Sequence, residues 1–96
     1  MMYRCYILDP ERMQNREVMR PYMEELFGFV NDYDAVNLDA LFDSLSEVTA
    51  DTDLILTPHA VRAVCRNEFA YKVLLVLGKA AEENPHLHLL FRDEEE

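Results

Sequence analysis

A chain of 96 residues with 19 acidic against nine basic side chains carries a formal net charge of −10 at pH 7, which disfavours nucleic acid and anionic membranes as partners and favours cationic ones. Its length suits one domain, residues 1–96, because two stable cores cannot be built from so few residues. Half the residues are apolar or aromatic and only two are glycine, so an element-rich fold is expected rather than disorder.

The first segment, Tyr3 to Leu8, is rich in aromatic and branched residues and closes at Asp9-Pro10. It predicts a short buried strand rather than a helix, and it lacks the apolar run of a signal peptide. No later run approaches transmembrane length, and a cytoplasmic location is expected. Cys5 and Cys65 stand far apart with no metal-ligand spacing around either, so two reduced, structural thiols are expected.

Val18, Met19, Tyr22, Met23, Leu26 and Phe27 recur at three- and four-residue spacing opposite Arg16, Glu17, Glu24 and Glu25, the pattern of an amphipathic helix. Pro21 is awkward in it unless the helix begins only a few residues earlier, where the missing N–H would be an orphan anyway, so its start is expected between Asn15 and Val18, and Gly28 supplies the stop. Phe29 to Val36 lacks a helical period and reads as a structured loop. Asn37 then reads as an N-cap, because Leu38, Leu41, Phe42, Leu45 and Val48 trace one stripe of a helix about three turns long. Asp51-Thr52-Asp53 breaks the pattern, Leu54 to Leu56 predicts a short strand, and Pro58 ends it. A brief helix is expected over Ala60 to Cys65, and a longer one over Phe69 to Glu83, ended by Asn84-Pro85. Leu87 to Phe91 is the last strand, and Asp93 to Glu96 a solvated acidic tail. Short apolar strands alternating with helices predict an α/β fold: a three-stranded parallel sheet packed with helices.

On a helical wheel at about 100° per residue, Leu38, Leu41, Leu45 and Val48 fall within one arc of roughly 80°, the expected core face. Phe42 sits at its edge, and Asp39, Asp43 and Ser46 share the adjoining flank, with Glu47 further round. Asp39 and Asp43, four residues apart, repel each other and destabilise an isolated helix by about 0.2–0.5 kcal/mol. The helix dipole explains Asp39 in the first turn but not Asp43 beyond it. A cationic partner explains both, and a merely solvated acidic face is the plainer alternative.

The stretch Tyr33-Asp34-Ala35-Val36-Asn37-Leu38-Asp39-Ala40-Leu41-Phe42-Asp43-Ser44-Leu45 closely resembles the signature of the barstar family, intracellular inhibitors of small basic ribonucleases. The order of predicted elements resembles the family's over nearly the whole chain. The resemblance implies a barstar-like fold in which the loop and second helix plug a ribonuclease's basic active-site groove. Carried over residue by residue, it makes Tyr33 the loop aromatic that packs on the enzyme and Asn37 the cap that shapes the loop. Asp39 and Asp43 become the carboxylates that face the enzyme's basic residues. Phe42 stands where the prototype has tryptophan, and Ser46 at a small hydroxyl position. Asp34 at a second aromatic, Ala35 at a glycine and Asn31 at a proline depart from the pattern. So does Lys79, aligned with a carboxylate that contacts barnase, while Glu83 one turn later offers an acidic residue on that flank.

Other chemistry is poorly supplied. Asp39 and Asp43 would need a concave pocket and perturbed pKa values to act as an acid–base pair, and an exposed helix flank is expected to offer neither. His86 and His88 share one face of the last strand without a third ligand at a recognisable spacing. His59 after Pro58 suits a helix start, Cys65 lacks a nucleophile motif, and two glycines cannot make a phosphate-cradling loop. No catalysis, cofactor or metal is expected. A barstar-like fold with another, non-barnase partner, an immunity protein for a ribonuclease toxin, or a self-associating regulator using Tyr71 and Leu75 remain as alternatives, with a monomer expected for an inhibitor.

Overall fold

A computed structural model of the chain describes residues 3–29 and 37–92. Three parallel strands form one sheet in the order β1 (Tyr3–Ile7), β2 (Asp51–Leu56), β3 (Leu87–Phe91). The connection from β1 to β2 carries a 3-10 turn at Pro10–Met13, helix α1 (Arg16–Phe27) and helix α2 (Leu38–Ser46). The connection from β2 to β3 carries α3 (Pro58–Cys65) and α4 (Glu68–Glu83). The α/β class with its three-stranded parallel sheet is as the hydrophobic pattern predicts. Among the described residues no helix is long and apolar enough to cross a membrane.

Each helix starts where a short polar side chain takes up an orphan N–H. Asn15 accepts from Val18 N, Thr57 from Ala60 N and Asn67 from Ala70 N. Gly28 ends α1 at φ 71°, a left-handed conformation that glycine adopts without a Cβ penalty, and its N–H reaches the Glu24 carbonyl at 2.8 Å. With Arg16 as the first residue, Pro21 lies inside α1, past the turn whose donors are orphans anyway. The ring therefore removes one internal helix bond, and it does so on an exposed face.

The register explains the strand that the sequence pattern shortened. Tyr3 pairs with Asp51, Cys5 with Asp53 and Ile7 with Ile55; Thr52 pairs with Leu87, Asp53 with His88 and Leu56 with Phe91. Thr52, Leu54 and Leu56 point to the helices and are fully buried, whereas Asp51 and Asp53 point to the opposite face. β2 thus begins at Asp51, not Leu54. Period-two alternation runs through an Asp-Thr-Asp sequence whose aspartates lie on the uncovered side. Helices pack one face of the sheet, and on the other Cys5, Ile7, His88 and Leu90 are exposed. The expectation of a buried first strand therefore fails on this face, although parallel strands are usually covered on both. Both thiols are free, as expected, but neither is structural: Cys5 is exposed on this open face and Cys65 is exposed at the end of α3.

The core on the covered face joins Leu54, Leu56 and Leu87 of the sheet to Met19, Met23 and Leu26 of α1. Leu41 and Leu45 of α2, Val64 of α3, and Val73, Leu77 and Ala80 of α4 complete it. Tyr22 anchors the 3-10 turn to α1: its hydroxyl accepts from Asp9 N at 2.9 Å, and the Arg12 guanidinium lies 4.5 Å from its ring centroid while pairing with Glu25. Burial pushes the Tyr22 phenol above its ordinary value of 10.0.

Candidate functional site

Helix α2 is the site's foundation. Asn37 has extended backbone, and its side-chain oxygen accepts from Ala40 N at 2.8 Å. That is the predicted cap, and it fixes where the preceding segment meets the helix. Leu41 and Leu45 are fully buried, with Leu38, Phe42 and Val48 packed against the same core. The opposite flank carries Asp39 and Asp43, both exposed. The helix is nine residues long, about two and a half turns rather than three, because the chain turns at Glu47 to enter β2.

Neighbouring α4 completes the site. Between the two helices runs a groove of about 430 Å³ lined by Leu38, Asp39, Phe42 and Asp43 from α2 and by Leu75, Val76 and Lys79 from α4. On α2 the lining residues are adjacent pairs one turn apart, so apolar Leu38 and Phe42 form the floor while Asp39 and Asp43 form the rim. Lys79 rises from the facing helix. Among the described residues no ion pair joins these three charges to one another or to any other side chain. The expectation that this flank offers no concavity is overturned. A wheel drawn for α2 alone cannot show a wall that α4 supplies from 32 or more residues downstream.

Asn84 holds the two helices in that arrangement. It caps α4, with its N–H on the Ala80 carbonyl at 2.8 Å, and is only 5% exposed. Its side-chain amide donates to the carbonyls of Leu45 and Val48, each at 2.9 Å, and its side-chain oxygen accepts from His86 N at 2.9 Å. One buried side chain thus satisfies the end of α2 and sets it against the end of α4. The sequence marks Asn84 only as a helix stop before proline; nothing local announces its bonds to residues 36 and 39 positions away.

The remaining predicted site residues divide. Tyr33, Asp34 and Ala35, with Asn31, lie outside the described residues. Ser46 is exposed, and its hydroxyl turns back to donate to the Asp43 carbonyl at 2.7 Å. Glu83 is exposed at the last position of α4 and does not line the groove, so Lys79 is the charge that α4 brings there. His86 and His88 do share a side of the sheet, but each faces an aspartate of β2: Asp51 at 2.9 Å and Asp53 at 3.0 Å. Among the described residues no group of three or more His, Cys, Asp or Glu side chains is placed to hold a metal ion.

No protein-family model matches the chain, and no curated protein matches it significantly. Of the stretch Tyr33 to Leu45, residues Asn37 to Leu45 are described.

Proposed function

We propose that the chain is a barstar-like, cytoplasmic, non-enzymatic inhibitor that docks α2 and the preceding loop into the basic active site of a small ribonuclease. The observation that carries this reading is the pair Asp39 and Asp43: exposed, four residues apart, on the rim of an apolar groove, with no basic partner among the described residues. Two unrelieved carboxylates cost α2 stability, and a cationic surface that desolvates them turns that cost into binding energy. Inhibition then combines steric blockade with charge mimicry, the carboxylates standing where RNA phosphates would meet the enzyme's arginine, lysine and histidine side chains. The net charge of −10 speeds encounter with a basic enzyme and keeps nucleic acid away.

A titration of small basic ribonucleases, barnase among them, with the purified protein tests the proposal. RNA cleavage by the cognate enzyme should fall stoichiometrically and recover when Asp39 and Asp43 are replaced by alanine. Cleavage that stays unaffected throughout the set, or turnover by the protein itself that vanishes in Asp39→Ala, defeats the inhibitor reading. A second reading, a barstar-like interaction protein with a different partner, is favoured by Tyr71 and Leu75 of α4, which are 47% and 55% exposed.

A further inference from the structure

Lys79 is the element of the groove that a uniformly basic partner does not explain. It stands on α4 across an apolar floor from two carboxylates, and a cation opposite it would meet like charge, which interfaces avoid. Its neighbours along the helix extend the surface: Tyr71, Leu75 and Lys79 fall at successive turns of α4 and are all exposed. Lys72, one residue from Tyr71, is by contrast occupied by Glu68 at 3.3 Å.

We propose that the groove between α2 and α4 sorts charge, taking a protein segment that sets an apolar side chain on Leu38, Phe42, Leu75 and Val76, with a cationic group over Asp39 and Asp43 and a carboxylate against Lys79. The occupant is fixed by complementarity on three sides: two anions on one rim, one cation on the other, and apolar surface between them. A partner basic along its whole edge satisfies α2 and is repelled by α4. Lys79 is therefore the specificity-determining residue of the surface. The inference rests on the docking reading above only in taking a protein as the occupant.

Two blocked peptides serve as probes, Arg-Arg-Leu-Leu-Glu-Glu and its all-cationic counterpart Arg-Arg-Leu-Leu-Lys-Lys, each titrated into the full-length, isotopically labelled protein and followed by amide chemical shifts. The ratio of their two dissociation constants is the readout, because bulk attraction to the acidic chain affects variants of equal net charge alike. Lys79→Glu should move that ratio by about tenfold toward the all-cationic peptide. Lys72→Glu, with the same change in net charge on the same helix, should move it less than about twofold. Shifts should centre on Asp39, Asp43, Leu75, Val76 and Lys79. Equal effects of the two variants, no effect of Lys79→Glu, or no shift of groove amides at millimolar peptide overturns the proposal. Failure of ribonuclease inhibition with the peptide preference intact counts against the inhibitor reading alone.

Discussion

Asn37 and Asn84 do related work at opposite ends of α2. Asn37 takes one orphan N–H at the helix start, and Asn37→Ala should cost about 0.5–2 kcal/mol of stability, read by denaturant unfolding. An unchanged midpoint would show that the cap does not hold the helix. Asn84 is buried and serves two carbonyls, that of Leu45 in a buried bond and that of Val48 in a half-buried one. Asn84→Ala should therefore cost at least as much, about 1–3 kcal/mol for each group left unsatisfied, and should shift the amide resonances of Leu45 to Val48. A surface-like loss below about 0.5 kcal/mol would mean that the two helices are positioned by packing alone.

At the scale of elements, Tyr22 couples the 3-10 turn to α1. Burial raises its folded-state pKa above the ordinary 10.0, so the unfolded chain ionises first as pH climbs. The stability this phenol contributes is fully present below pH 10.0 and is lost as pH rises from there through the folded value. Tyr22→Phe should remove that alkaline loss along with the hydrogen bond to Asp9 N; an identical alkaline profile in the variant would contradict the assignment. The elements also show what local pattern can carry. The start of α2 and the stop of α1 were legible because Asn37 and Gly28 act within four residues of the groups they satisfy, whereas α3 starts at Pro58 behind a Thr57 cap, two residues before the expected Ala60. The first half of β2 was not legible, since Asp51 and Asp53 suit a strand only when one sheet face is open and His86, just before β3, and His88 within it stand opposite them. The acidic flank of α2 was legible from a helical wheel, whereas the groove was not, because its far wall of Leu75, Val76 and Lys79 is brought there by tertiary packing.

For the whole molecule, the proposed role requires a monomer whose α2 surface stays open and whose net charge of −10 steers a basic partner. Sedimentation should give a single species at monomer mass, and a dimer that buries the α2 and α4 surface would favour the self-associating alternative. Association with the cognate ribonuclease should be fast at low salt and slow markedly as the Debye length contracts from about 10 Å at 0.1 M to about 3 Å at 1 M. A rate indifferent to salt would remove electrostatic steering. The most direct measurement is the affinity of Asp43→Ala for that ribonuclease, set beside the variant's own stability. Asp43 is exposed and lies beyond the first turn of α2, so its loss should leave folding unchanged or slightly improved by relieving Asp39. Binding should weaken by about 2–5 kcal/mol, a range set partly by the barnase–barstar pair itself. Wild-type affinity in Asp43→Ala would contradict the proposal and leave the acidic flank of α2 as ordinary solvated surface.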